Sequence, residues 1–198
     1  LITVQHLSFS PGNSTAFILH LRMSLFSDPH ISIAGTQDIP VIMRLLNKAY
    51  RGESSRKGWT TEADLIAGNV RTDENNLGDV MGMPGSVFLK YSTTDGVVTG
   101  CVNLQQQNNR IYLGMFSVDP ESQGEGIGKK ILHAAEEYAH SVKARSIYMS
   151  VISVRTELIA WYQRHGYADT GERKPFKEDN LTGKHLRELE FMTLEKPL

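Results

Sequence analysis

The chain has a single cysteine, Cys101, among 198 residues. One thiol excludes an intrachain disulfide and any cysteine-built zinc site. No apolar run approaches the roughly 18 residues that a membrane-spanning helix needs, so no membrane partner is expected. Neither sign of charge is in excess: 21 Lys and Arg face 22 Asp and Glu, for a formal net charge of −1. A protein that holds nucleic acid through its phosphates is ordinarily more basic, so no nucleic-acid partner is expected either. Internal repeats and low-complexity tracts are absent, and His133, His140 and His185 are too scattered to suggest a metal site. What remains is 40% hydrophobic and 22% charged. That is the balance of a globular, soluble chain, at a length suited to one domain with a core that needs no covalent staples.

The first residues differ from the rest. Ser8 to Ser14 is loop chemistry, and the apolar stretch from Ala16 to Phe26 is broken by His20 and Arg22, with no basic leader before it. Residues 1–28 are therefore expected to be a non-catalytic extension and residues 29–198 the domain. Deleting residues 1–22 is expected to leave folding and activity intact.

Hydrophobic spacing lays out the elements. A short strand is expected at His30–Ala34, then a helix over Asp38–Tyr50 with Ile39, Ile42, Leu45, Leu46 and Ala49 on one face. A polar loop follows from Arg51 to Gly58. Thr61 and Asp64 suggest a capped second helix over Glu62–Val70, and Asp73–Gly85 reads as mostly loop. Strands are expected at Ser86–Tyr91, Val97–Leu104 and Arg110–Val118, the first two joined by a turn at Thr93–Gly96. Ile127, Ile131, Ala134, Ala135, Tyr138 and Val142 mark a long amphipathic helix. A strand at Ser146–Ile152, a helix at Thr156–His165 closed by Gly166, and strands near Tyr167–Glu172 and Leu186–Leu194 complete the order. Such an order predicts a three-layer α/β/α sandwich with a mixed, mostly antiparallel sheet.

The strongest chemical signal is Val118-Asp119-Pro120-Glu121-Ser122-Gln123-Gly124-Glu125-Gly126-Ile127-Gly128-Lys129, which leads from an apolar strand into the long helix. Glycines admit unusual φ values and close approach of a ligand to the backbone. The first amides of a helix have no helical acceptor and, with the helix dipole, favour an anion. The dipole alone contributes about 0.3–1 kcal/mol per charge, so direct N–H bonds must carry the binding. Lys129 can add a cation, and a diphosphate fits. The glycine spacing does not match the dinucleotide fingerprint G-x-G-x-x-G, and it does not match the nucleoside-triphosphate loop.

The stretch does match Q-x-x-G-x-G through Gln123, Gly126 and Gly128, and Tyr162-Gln163-Arg164-His165-Gly166-Tyr167 follows downstream. In both features, and in their order along residues 30–196, the chain resembles the GCN5-related N-acetyltransferase (GNAT) superfamily. The resemblance implies the acyl-CoA N-acyltransferase fold and acetyl-CoA as co-substrate, with no metal. It implies that the strand before the loop splays from its neighbour to admit pantetheine. Phe116 and Val118 would then offer backbone groups to the pantetheine arm, the Phe116 N–H would donate to the thioester carbonyl, and Gln123, Gly124, Gly126, Gly128 and Lys129 would surround the pyrophosphate. Tyr162 matches the tyrosine that protonates the departing thiolate, a transfer sensible for a phenol of pKa near 10 and a thiol near 8.5.

Two positions depart from the family pattern. Tyr112 stands where many members carry a glutamate base, and Arg155 stands where an asparagine is frequent. Deprotonation of the acceptor is therefore assigned to a water chain or to Glu53. The acceptor is expected to meet the loop from Tyr50 to Thr60, with Arg51 or Arg56 for a carboxylate, Glu53 for the amine, and Trp59 as an aromatic wall. The implied activity is acetyl transfer to a primary amine of a small polar metabolite, such as an amino acid or polyamine, by direct attack in a ternary complex. The alternatives are a non-catalytic CoA-binding sensor or interaction module on the same fold, or acetylation of a protein or peptide amine. A cytoplasmic location is expected, and the resemblance also admits a homodimer. Cys101 lies far along the chain from both motifs, so no acyl-enzyme is expected.

Overall fold

A computed structural model describes residues 25–179 and 181–198. Its centre is a seven-stranded sheet in the order β1-β3-β4-β5-β6-β9-β7. The strands are β1 (Ile31–Ile33), β3 (Ser86–Ser92), β4 (Val98–Gln107), β5 (Arg110–Val118), β6 (Ser146–Ile152), β7 (Ala168–Phe176) and β9 (Leu189–Pro197). All neighbours pair antiparallel except β5 and β6. The mixed, mostly antiparallel sheet of the three-layer sandwich is thus present. Helices α1 (Ile39–Tyr50), α2 (Gly52–Ser55) and α3 (Glu74–Gly82) precede the long β3–β4–β5 meander, while α4 (Ile127–Ser141) and α5 (Thr156–Arg164) lie in the second half.

Period-two alternation assigns the two faces. Phe88 and Cys101 point to the layer of α1 and α3, where Ile42, Leu45, Leu46 and Leu77 are buried. Their neighbours Leu89 and Val102 point the other way, onto Ile131, Ala134, Ala135 and Tyr138 of α4 and onto Ile159 and Tyr162 of α5. The apolar stripe read at helical spacing on α1 is the face that packs. No helix among the described residues is long and apolar enough to cross a membrane.

Residues 1–24 lie outside the described residues, and with them most of the stretch read as an extension. Phe26 is buried in the core of α4, and the Ser27 amide donates to the Glu137 carboxylate at 3.1 Å, so the packed chain includes residues just before position 29.

Three local readings differ from the sequence pattern. The helix expected over Glu62–Val70 does not form. Thr61 Oγ1 caps the Ala63 amide, but only one turn follows before β2 (Ile66–Ala67) pairs antiparallel with β8 (Lys184–His185). The reason is tertiary: the Glu62 carboxylate is drawn inward by two arginines, and Gly68 takes φ +109°. The reverse occurs at Asp73–Gly85, read as mostly loop. Asp73 Oδ1 accepts the Asn76 amide at 2.8 Å and starts α3, whose Leu77 is buried. The loop after α1 contains the short helix α2.

One irregularity positions the site. Cys101 pairs with Ser117 but Asn103 pairs with Gly114, so β5 bulges at Met115, where φ is +46°. β5 pairs with β6 only at Arg110–Tyr112. Beyond Tyr112 the two strands part, and the last residues of β5 have no β6 partner on that side.

Candidate active site

A crevice of about 720 Å³ occupies this parting. It runs from the end of β5, across the loop between β5 and α4, to the inner face of α5. All seven residues read as cofactor-binding line it: Phe116, Val118, Gln123, Gly124, Gly126, Gly128 and Lys129. The loop's shape follows from its glycines. Gly124 and Gly126 have φ of +93° and +81°, a region costly for other residues, and a Cβ at either would meet nothing within 4 Å. Gly126 caps α4, and Lys130 is the first residue whose amide bonds back into the helix, to the Gly126 carbonyl at 3.1 Å. The amides of Ile127, Gly128 and Lys129 have no helical acceptor and form the mouth. A Cβ on Gly128 would touch Phe116, Trp161 and Val118 at 3.7–3.8 Å, so glycine there keeps the crevice floor low.

The Gln123 side chain also holds two segments together. Its Nε2 donates to Thr60 Oγ1 at 2.9 Å and to the Val118 carbonyl at 3.2 Å, and its Oε1 accepts the Trp59 amide at 2.9 Å. The side chain braces the segment after α2 against the glycine loop. Ion pairs tie the same loop to α1 and to the segment after α2: Lys48 to Asp119 at 2.8 Å, and Lys57 to Glu121 at 2.8 Å. Lys57 and Lys48 hold the Glu121 carboxyl down at about 2.

Tyr162 lies at the inner end of the crevice, its ring 6.3 Å from Phe116 and edge-on to Trp161 at 5.1 Å. Burial pushes its phenol well above the ordinary 10.0, the Tyr50 phenol adds to the shift, and Arg155 opposes it. Tyr162 therefore keeps its proton throughout the neutral range. Tyr50, which also lines the crevice, donates its hydroxyl to the Phe116 carbonyl at 2.7 Å and so anchors the strand beyond the bulge.

The acceptor-side residues read from the loop separate. Trp59 lines the crevice, with its ring 6.4 Å from Trp161. Glu53 does not: its side chain is 90% exposed and pairs with Arg56 at 3.0 Å, outside the crevice, a placement that does not suit a base. Arg56 is bound to Glu53 and to Asp64 on the same outer surface. Arg51 is fully buried and committed, through Nη1 to Glu62 at 2.6 Å and through Nε to the Thr182 carbonyl at 3.1 Å. It is therefore a strut and not a free anion ligand. The polar groups that line the crevice and act electrostatically on Tyr162 are Tyr50 and Arg155. Arg155 donates to Glu62 at 3.0 Å and to the Thr60 carbonyl. Sequence reading noted Arg155 only as a departure from pattern. Its partners lie 93 and 95 residues away, and no local signal announces them.

Cys101 is fully buried on the opposite face of the sheet from α4, with Sγ 3.7 Å from the Met115 carbonyl. Burial pushes its thiol up to about 12. It does not line the crevice, and a thiolate is not available there.

Comparison with known proteins agrees with this geometry. The model of the acetyltransferase (GNAT) family matches residues 42–167. Spermine/spermidine N(1)-acetyltransferase of Bacillus subtilis (strain 168) is 37% identical over 67 residues, which are 33% of this chain and 44% of that protein. The match thus spans less than half the length of that curated relative. Among solved structures, the ribosomal-protein-alanine N-acetyltransferase from Brucella melitensis superposes with a TM-score of 0.64 at 18% identity, covering 85% of this chain and 99% of that one. A GNAT-family acetyltransferase from Staphylococcus aureus gives 0.59 at 16% identity, covering 85% and 98%. At these identities the likeness to the solved structures is one of fold.

Proposed function

Since the chain belongs to the GNAT acetyltransferase family, we propose that it moves an acetyl group from acetyl-CoA to a primary amine of a small polar metabolite, by direct attack in a ternary complex. The observation that carries the reading is the continuity of one crevice, from the amide-lined mouth of α4, along the unpaired edge of β5, to Tyr162. The cradle fits a diphosphate carrier, because Gly124 and Gly126 leave it open where any side chain would stand. The amides of Ile127, Gly128 and Lys129 hold the pyrophosphate, helped by the Lys129 cation. The edge of β5 at Phe116 and Val118, which β6 leaves uncovered, pairs with the pantetheine amides. The Phe116 N–H donates to the thioester oxygen as negative charge develops there.

Transfer forms a carbon–nitrogen bond and breaks a carbon–sulfur bond. Tyr162 delivers its proton to the departing sulfur and regains one from solvent. The acceptor amine must attack as the free base. Glu53 stands outside the crevice, so water removes that proton. The Arg155 charge assists, because a cation nearby disfavours the ammonium form.

Calorimetry with acetyl-CoA, followed by a thiol-release assay over a panel of amines, tests the reading. Saturable binding and amine-dependent CoA release are expected. Binding without release from any amine would assign the fold to a sensor role, and absence of binding would remove the reading altogether.

A further inference from the structure

The wall of the crevice beside Tyr162 carries more guanidinium than carboxylate. Glu62, 6% exposed, is shared by two arginines, with Oε2 taken by Arg51 and Oε1 by Arg155. Two guanidiniums on one carboxylate leave one positive charge in a buried cluster. Hydrogen-bond donors are in surplus as well. Among the described residues, Arg51 Nη2 is buried without a partner, and the five N–H groups of Arg155 meet only Glu62 and the Thr60 carbonyl. A third guanidinium, that of Arg71, lies 5.7 Å from the centre of the Tyr50 ring. Asp179 is within electrostatic reach of Arg71, but its carboxylate accepts from the amides of Leu181 and Thr182. Glu157 lies on the crevice wall too, yet it is exposed, where its charge is screened.

Of this cluster Arg155 lines the crevice, whereas Arg51, Glu62 and Arg71 are not among the lining residues. Arg155 also acts electrostatically on both Tyr50 and Tyr162, whereas the pyrophosphate cradle has its own cation in Lys129. Buried charge is stable only when paired. We infer that the acceptor amine carries an anionic group, a carboxylate in the simplest case, which docks against Arg155, with the Arg71 charge adding to the positive field around Tyr50. The inference rests on the acetyl-transfer reading and names the substrate class for it: an amino carboxylate and not a polycation. A polyamine would bring further ammonium groups against a wall that is already positive, and like charges repel. An amino carboxylate supplies the missing negative charge and places its amine within a few bonds of it.

Matched acceptors decide the matter. CoA release is measured for α-amino acids and for the amines left by their decarboxylation, such as lysine against cadaverine and phenylalanine against phenethylamine, with spermidine as the polycation. For the best pair, kcat/KM is expected to be at least about tenfold higher for the carboxylate member, a preference that one charged hydrogen bond can supply. Arg155→Met is expected to bring that ratio close to one, chiefly through KM for the carboxylate member. Because Arg155 also holds Glu62, Arg71→Gln gives a second readout at a half-buried position, with the ratio narrowing severalfold. Equal rates within each pair, or a preference for cadaverine or spermidine, would overturn the inference and leave acetyl transfer standing. Failure of every amine to release CoA would overturn the acetyl-transfer reading, and the inference would fall with it.

Discussion

The end of the crevice proposed for the cofactor is built of main chain from one continuous stretch, residues 116–129, whereas the end proposed for the acceptor is built of side chains from separate segments. At the first end, glycines set φ and a helix start exposes its amides, so the chemistry is local. At the second, Arg51 reaches a carboxylate 11 residues on and a carbonyl 131 residues on, and Arg155 reaches back 93 residues. The contrast teaches that a site made of backbone is robust to side-chain change but exacting about glycine. A site made of buried charges is exacting about every partner.

The largest effect expected from this contrast is at Glu62. Glu62→Ala leaves two buried guanidiniums without their carboxylate, and removing one partner of a buried pair costs about 3–5 kcal/mol. Urea unfolding measures it. A loss below about 1 kcal/mol would show that the acceptor end does not depend on the charge cluster.

Alkaline titration probes the same end. Burial lifts the Tyr50 phenol from 10.0 to about 12. A raised folded-state pKa means that the native state resists losing the proton. The contribution is intact below pH 10 and is lost as pH rises towards 12. The shift corresponds to about 2–3 kcal/mol over that window. Denaturation midpoints should fall across it, and less steeply in Tyr50→Phe. Identical slopes would detach Tyr50 from the effect.

At the cofactor end, Gly126→Val places a branched side chain at φ +81°. A strain of about 1–2 kcal/mol is expected, together with weaker acetyl-CoA binding by calorimetry, while the acceptor cluster is untouched. Tyr162→Phe should lower kcat by about tenfold, near 1.4 kcal/mol in activation free energy, with the dissociation constant for acetyl-CoA unchanged. Because burial holds the Tyr162 phenol above 10.0, no alkaline limb from this residue is expected in the rate profile below pH 10. The smallest effect belongs to Glu53→Gln. An exposed pair with Arg56 contributes little, so stability should move by less than about 0.5 kcal/mol. A large drop in kcat would instead return Glu53 to the chemistry.

Much of the scaffold was legible from one-dimensional pattern. Period-two alternation located β3 to β6, helical spacing located α1, α4 and α5, and Gly166, with φ +90°, ends α5 as read. The glycine loop was legible because its geometry is encoded within a few consecutive residues. Legibility failed at Glu62–Val70, where local capping chemistry favoured a helix but a long-range ladder to β8 and the pull of Arg51 and Arg155 won. It failed again in the acceptor loop. Arg51 and Glu53 are two residues apart and looked alike as exposed ligands, yet one is fully buried and the other is 90% exposed.

Composition, periodicity and the Gln123–Lys129 motif determined on their own that this chain forms a mixed sheet and opens a helix from a glycine loop, because propensity and φ preference act between near neighbours. The parting of β5 from β6, the commitment of Gln123 to the neighbouring loop, and the positive wall around Tyr50 were settled only when distant segments packed. Burial and pairing of charge depend on which residues meet in space, and separation along the chain does not reveal that.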